Sequence, residues 1–387
     1  MQFTIPRNVY YGYGAIENIT TIPAKRAMVV SDPIMASLGW VDRVKAILEA
    51  AGTEVQLFTD VEPDPGRATV AKGTEIMREF GPDVVVGLGG GSAIDAAKAM
   101  WVFYELPDIT WEEACVIFGL PPLRNRARFI AIASTSGTGT EVGNSAVITD
   151  ADAKPPVKRF MCDYELTPDV TIVDPELCFT MPPEVTANTG MDVIAHALEA
   201  YVSGGANDIS DGLAIKALQL TFSWLPAAVS DGSDRTAREK MHNASMLAGM
   251  AFNNAGLGIN HSLAHQLGSV WGVPHGRANA VVMANVIAYN AGACGERYAE
   301  VATALGLAGK DTGELVSGLI DRIFELMTQI GMPKSIAELG ISSSSWAESL
   351  EVIARNAFED GCTGDNVRQP TCDDMKDIYV RSHEGLV

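Results

Sequence analysis

The sequence predicts two domains: an α/β domain built on a Rossmann-like, doubly wound parallel sheet over residues 1–180, and an all-helical domain over residues 181–387. Three observations carry this. Apolar runs alternate with amphipathic segments through the first half, which is how strands and helices follow one another around a parallel sheet. After Asp174-Pro175 the strand-like runs mostly stop, and Met181-Pro182-Pro183 marks a boundary. Finally, 387 residues that are 47% hydrophobic are enough to bury sizeable cores and exclude a disordered chain.

In chain order, residues 3–11 read as a short strand and 15–22 as an amphipathic segment. Residues 25–32 form an apolar run ending in Ser31-Asp32, the look of a buried parallel strand. A helix over 41–51 has apolar residues at 41, 44, 47, 48 and 51; a strand over 54–58, a helix over 69–80 and a strand over 82–89 follow. Residues 129–133 are another buried strand. Residues 146–150 and 170–174 read as two more strands, expected to pair as a hairpin over the sheet edge. Lys154-Pro155-Pro156-Val157-Lys158-Arg159 between them is a local cationic cluster, read mainly as a solvated loop. In the second half, helices are expected over 185–203, 209–222, 235–254, from 261 to 268, and over 278–290, 298–305, 312–330, 344–356 and 372–382.

The formal charge of −20 makes nucleic acid and membrane surfaces poor partners, since an acidic protein repels phosphate backbones and anionic lipid. No charge-free run of membrane-spanning length stands out. The first residues lack a basic segment followed by an apolar stretch, so a cytoplasmic protein is expected. The 6 cysteines are scattered without a C-x-x-C spacing and read as reduced thiols.

Gly89-Gly90-Gly91-Ser92, with Asp95 and Lys98 beyond it, directly follows a strand and opens a helix. Glycines let a diphosphate approach the backbone, and a helix N-terminus offers unpaired N–H groups and a positive dipole end. A tight turn capped by Ser92 is the plainer reading. The run is not G-x-G-x-x-G and follows a later strand than the usual fingerprint does. Asp32, just after the first buried strand, can accept hydrogen bonds from an adenosine ribose and would repel a 2′-phosphate, favouring NAD over NADP; it can equally be a turn aspartate before Pro33. Thr135 and Thr138, in the small-residue stretch 134–141, suit phosphate or ribose contacts.

Five of the 6 histidines fall between Asp192 and His275, among them His196, His261, His265 and His275. Asp192 and His196 are spaced i,i+4, as are His261 and His265, which puts each pair on one helix face. With His275 they could surround one divalent metal. Spacing alone does not say which histidines are ligands. A carboxylate with imidazoles suits Fe(II) or Zn(II), and such a metal can act as a Lewis acid on an alcohol or carbonyl oxygen. A dinucleotide half beside a metal half predicts a ligand cleft between them, with hydride transfer between an alcohol and an aldehyde or ketone as its chemistry.

These residues resemble the group III, or iron-containing, alcohol dehydrogenases over essentially the full length. The markers are Gly89-Gly90-Gly91-Ser92 with Asp95 and Lys98, Ser134 through Val142, Gly190-Met191-Asp192 through His196-Ala197-Leu198-Glu199, Gly258-Ile259-Asn260-His261 through His265, and Pro274-His275-Gly276. The resemblance implies the architecture shared with dehydroquinate synthase: an α/β nucleotide-binding domain followed by an all-α metal domain. It implies Asp192, His196, His261 and His275 as ligands of one Fe(II) or Zn(II), and His265 beside the nicotinamide as a candidate proton relay. It implies Asp32, Gly89, Gly90, Gly91, Ser92, Asp95, Thr135 and Thr138 at the NAD(H) site, and Ser145, Phe252 and Cys362 near the substrate. A homodimer or larger homo-oligomer acting as an aldehyde reductase on a short-chain substrate follows. Lactaldehyde, butyraldehyde and the anionic sulfoacetaldehyde are candidates. The stretch Asn366-Val367-Arg368 departs from the family's usual N-P-R, so substrate identity transfers least. Two alternatives stay open: polyol oxidation like that of glycerol dehydrogenase, and a lyase resembling dehydroquinate synthase, which would need a basic pocket and would regenerate its NAD. A non-catalytic metal or nucleotide sensor is the reading from another class.

Overall fold

The computed structural model describes residues 2–150 and 157–387, and the chain divides into two compact units, Met1–Thr180 and Met181–Val387. Lys154, Pro155 and Pro156 of the cationic cluster lie outside the described residues.

Unit 1 is an α/β layer structure. Its strands are β1 (Asn8–Tyr11), β2 (Arg26–Val30), β3 (Glu54–Phe58), β4 (Val84–Gly89), β5 (Arg128–Ala133), β6 (Ser145–Asp150), β7 (Val157–Cys162) and β8 (Val170–Val173). Among the described residues, six of them form one parallel sheet in the order β1-β8-β5-β4-β2-β3. Helices α1 (Pro33–Ser37), α2 (Trp40–Ala50), α3 (Arg67–Phe80), α4 (Gly91–Glu105) and the one-turn α5 (Trp111–Ala114) complete the unit. β4, β8 and most of β2 and β5 are buried on both faces. Met28, Val30, Val85 and Phe129 join the core under α3 and α4, while Ala27, Val29, Val86 and Ile130 join the opposite core with α2. Two-sided burial explains why these strands read as continuous apolar runs rather than alternating ones.

Two expectations are corrected. Residues 146–150 do not pair with 170–174. β6 pairs antiparallel with β7, and β8 sits inside the main sheet between β1 and β5. The burial patterns give the reason: β8 is wholly buried, as an internal parallel strand must be, whereas β6 alternates half-buried and buried residues as a two-stranded ribbon does. β7 carries Lys158 and Arg159, whose charges disguise a strand as a loop. The first strand is also shorter than 3–11, beginning at Asn8.

Lys98 ties this ribbon to the sheet. Its ammonium is fully buried and donates to the carbonyls of Thr140 (2.8 Å), Gly143 (2.7 Å) and Ser145 (3.0 Å). Burial lowers its pKa to about 8 against the opposing charges of Asp95 and Glu141.

Unit 2 is all-helical: α6 (Pro183–Val202), α7 (Asp208–Ser230), α8 (Arg235–Ala255), α9 (Ile259–Trp271), α10 (His275–Ala304), α11 (Thr312–Gln329), α12 (Ser343–Phe358) and α13 (Cys372–Glu384). α6 is buried almost all round, as its lack of a polar stripe dictates, and packs against α7, α8 and α10. The helices expected over 278–290 and 298–305 meet within α10 at a kink, where Cys294 leaves helical geometry with φ −136°. α7 has the length and apolarity of a membrane span, yet Ala214, Leu218, Phe222 and Leu225 pack into the core with α6 and α8.

Replacing Lys98 with Met should destabilise the protein by about 3–5 kcal/mol, the usual cost of breaking a buried charge network from one side. The replacement leaves three buried carbonyls and the Asp95 carboxylate without their cation. Urea unfolding checks this, and an unchanged midpoint would contradict the proposed tie.

Candidate metal centre and phosphate loop

In unit 1, β4 ends at Gly89 and α4 begins at Gly91. Gly89 has φ +147°, and a Cβ there would stand 2.7 Å from the Ala93 Cβ and 2.8 Å from Asp32 Oδ2. On Gly90 a Cβ would meet Thr135 Cγ2 at 3.2 Å, and on Gly91 it would meet Thr138 Cγ2 at 3.0 Å. Asp32, Thr135 and Thr138 therefore converge on the three glycines at the carboxyl ends of β2, β4 and β5. This is where an open α/β sheet takes its ligand, beside a helix N-terminus able to receive a phosphate. Asp32 does two things. Oδ1 caps α1 by accepting from the backbone N–H of Ile34 and Met35, both at 2.9 Å, and Oδ2 is turned towards Gly89.

The remaining unit 1 candidates are placed differently. Ser92 Oγ accepts from the Asp64 backbone N–H at 3.3 Å, so it does not cap α4. Asp95 is half-buried and accepts from Thr140 Oγ1 (2.5 Å) and the Val147 N–H (3.0 Å), which engages its carboxylate within the unit. Ser145 opens β6, with its carbonyl on Lys98. Lys158 pairs with Asp64 at 2.8 Å, and Arg159 with the buried Asp150 at 3.3 Å.

In unit 2, α6 contributes Asp192 and His196, α9 contributes His261, and His275 is the first residue of α10. One potential ligand atom from each lies within 4.8 Å of all the others. Asp192 Oδ1 is 3.4 Å from His275 Nε2 and 3.8 Å from His261 Nε2, and Asp192 Oδ2 is 3.9 Å from His196 Nδ1. Ligand atoms around a tetrahedral metal at ordinary bond lengths stand roughly 3.4 Å apart. Gly276 makes the approach of α10 possible, because a Cβ there would lie 1.8 Å from the Asn188 carbonyl oxygen of α6.

The surroundings of this set reach further than the sequence reading did. Glu199, one turn beyond His196, accepts from the Asn260 N–H at 2.7 Å and bonds His261 Nδ1 through its other oxygen. With Nδ1 held by Glu199, His261 directs Nε2 to the cluster, and a carboxyl group behind a ligating histidine fixes its ring plane in metal sites. Burial holds the Glu199 carboxyl up at about 8, and burial together with the neighbouring imidazoles of His196, His275 and His265 keeps His261 well below its usual value, so neutral. Asn279, one turn along α10 from His275, donates Nδ2–H to Asp192 Oδ1 at 2.8 Å and accepts from Asn260 at 2.9 Å. Glu199 stands inside a quoted motif and Asn279 outside every one; spacing of i,i+3 from His196 and of i,i+4 from His275 was the available signal.

A buried carboxylate oxygen with three imidazole nitrogens is a donor set that fits Fe(II) or Zn(II) and does not invite thiolate-seeking metals. His265 lies outside this four-ligand group. Its Nδ1 bonds Asp360 Oδ2 at 2.9 Å, and its ring stacks on His275 with centroids 5.4 Å apart. Phe252 stacks on His196 at 4.4 Å, an apolar wall to the cluster. Cys362 groups with His265 and Asp360, and burial pushes its thiol well above the usual range.

Two family models cover nearly the whole chain: "Iron-containing alcohol dehydrogenase" over residues 6–175 and "Fe-containing alcohol dehydrogenase family, C-terminal" over residues 186–383. The chain is 46% identical to the NADPH-dependent butanol dehydrogenase of Clostridium saccharobutylicum, across 100% of this chain and 98% of that protein. It is 40% identical to the bifunctional aldehyde-alcohol dehydrogenase of Escherichia coli (strain K12), spanning 98% of this chain but only 46% of that longer protein. Among solved structures, a 1,3-propanediol oxidoreductase superposes with a TM-score of 0.93 at 34% identity, covering 98% of this chain and 99% of that one.

Substituting Glu199 with Gln should weaken divalent-metal affinity about 10- to 100-fold, the usual effect of losing a carboxylate behind a ligating histidine. Metal titration of the purified protein, read by competition with a chromogenic chelator, measures this directly. An affinity equal to wild type would show that Glu199 serves the fold alone.

Proposed function

This chain belongs to the iron-containing alcohol dehydrogenase family, and on that premise we propose that it reduces short, uncharged aldehydes to primary alcohols with NADH. The observation that carries the proposal is the convergence of the buried Asp192, His196 and His261 with the half-buried His275 within 4.8 Å. These four residues would hold one divalent metal, with Fe(II) favoured and Zn(II) also suited to the donors. When bound, the metal would supply Lewis acidity towards a carbonyl or alcohol oxygen, and the nicotinamide would supply the hydride.

The chain's own residues account for the rest. Gly89, Gly90 and Gly91 admit a pyrophosphate to the start of α4, with Thr135 and Thr138 beside them. The Asp32 carboxylate accepts ribose hydroxyls and repels a 2′-phosphate, which supports NAD(H). The NADPH-dependent name of the Clostridium relative makes coenzyme choice the sharpest point of this reading. An uncharged substrate is supported by Phe252 against His196 and by the pairing of Lys158 and Arg159 with carboxylates, which commits those cations elsewhere. The butanol and 1,3-propanediol substrates in the relatives' names are uncharged as well. His265 is the candidate to pass a proton to the product oxygen, since imidazole exchanges protons near neutral pH.

The test is NADH oxidation by anaerobic, Fe(II)-loaded protein with butanal, propanal, lactaldehyde and sulfoacetaldehyde, beside a metal-stripped control. Metal-dependent consumption that favours the uncharged aldehydes is expected. Turnover of sulfoacetaldehyde alone would overturn the substrate class, and no consumption by folded, metal-loaded protein would overturn the reductase.

Replacing Asp32 with Gly should raise kcat/KM for NADPH by about tenfold, equivalent to removing ~1.4 kcal/mol of repulsion, and should lower it for NADH. A wild-type protein that already prefers NADPH would contradict the role given to Asp32.

A further inference from the structure

Asn279 lies fully buried inside α10, one turn after His275. A buried amide in a helix interior is a poor choice for packing alone. A leucine of similar size would supply apolar area without desolvating an N–H2 group and a carbonyl. The contacts of this amide show what it does instead. Its Nδ2 lies 2.8 Å from Asp192 Oδ1, 3.3 Å from His261 Nε2 and 3.3 Å from His275 Nε2. Three of the four candidate ligands, drawn from α6, α9 and α10, therefore meet at one nitrogen.

The amide is itself held from behind. Asn260, beside His261 on α9 and also buried, donates Nδ2–H to Asn279 Oδ1 at 2.9 Å and to the Asn279 backbone carbonyl at 3.3 Å. A carboxylate and a backbone carbonyl only accept, so neither amide can be turned over without losing a bond. The orientation of Asn279 is thus fixed from both ends. An amide nitrogen only donates, so an imidazole nitrogen that it bonds must be an accepting one, which is also the form that can bind a cation. Two amide hydrogens serve three acceptors: the shortest contact is to the carboxylate, and the two imidazole nitrogens share the other hydrogen.

We propose that Asn279 is the positioning residue of the metal site, aligning Asp192, His261 and His275 through one amide nitrogen that Asn260 locks in place. The inference rests on the reading that Asp192, His196, His261 and His275 hold one divalent metal. The amide holds the ligand atoms of three helices at a common point, so a cation meets donors that already converge. The imidazoles can exchange their shared hydrogen for the cation, while the bond from Asn279 to Asp192 persists and keeps that carboxylate from turning.

The experiment uses full-length protein stripped of metal: wild type, Asn279→Leu, Asn260→Ala and the double variant. Zn(II) affinity is read by competition with a chromogenic chelator, the visible absorption of the Co(II)-loaded protein reports the ligand geometry, and circular dichroism checks folding. Asn279→Leu should weaken Zn(II) binding about 10- to 100-fold, as loss of a partner behind a metal ligand does, and should alter the Co(II) bands. Asn260→Ala should weaken binding about tenfold in the wild-type background and cost nothing further once Asn279 is leucine. Unchanged affinity in Asn279→Leu, or a weaker affinity with unaltered Co(II) bands, would overturn the inference and leave Asn279 a packing residue. Equal losses from Asn260→Ala in both backgrounds would overturn the lock. If Asn279→Leu does not fold, Asn260→Ala alone decides, and wild-type affinity in that variant would overturn the inference. A wild type that takes up no Zn(II) would instead bring down the metal-site reading, and this inference with it.

Discussion

A carboxylate enclosed in a helical core is the constraint on which unit 2 depends. Asp192 is 3% exposed in the middle of α6, a helix buried over most of its length. An isolated buried carboxylate is costly enough that it must find partners or lose its charge. Here one oxygen receives the Asn279 amide, and imidazoles stand around both oxygens. Neutral imidazoles offer lone pairs, not positive charge. A divalent cation shared among these four side chains would complete the compensation, so the stability of this core and the chemistry of the site become the same problem. The adjoining residues follow from it. Glu199 turns His261, Asn279 turns Asp192, and Asn260 links both by bonding Glu199 and Asn279.

Unit 1 obeys a steric constraint of a different kind. Its glycine turn is possible because three successive positions carry no side chain where Asp32, Thr135 and Thr138 come close. What a turn would need is one glycine with unusual φ, and Gly89 supplies it; Gly90 and Gly91 are explained by the approach of the threonines. Beneath the loop, Lys98 and Asp95 spend their charges on the backbone and side chains of 140–147, which holds the threonine-bearing stretch in register with α4. Both residues thus hold the segment that follows Thr135 and Thr138 in place.

Much of this was legible from residues alone. The parallel sheet announced itself through unalternating apolar runs, and the helices that carry the candidate ligands through i,i+4 spacing. What escaped has physical reasons. β7 is a two-stranded ribbon at the surface whose cationic residues mask its alternation, so the pairing of β6 was misassigned and the internal position of β8 was not seen. His265 has the same helical spacing to His261 as a ligand would have, and only the Asp360 carboxylate, 95 residues away, shows how it is held. Asn279 and Asp192 are separated by 87 residues. Contacts of that kind come from tertiary packing, which periodicity does not encode.

X-ray absorption spectroscopy at the metal edge of Fe(II)- or Zn(II)-loaded protein addresses the central claim most directly. The account predicts one metal per chain in a shell of nitrogen and oxygen only, with multiple scattering from three imidazoles and a carboxylate oxygen. A sulfur scatterer, which would bring Cys362 into the shell, or a signal from fewer imidazoles would contradict it.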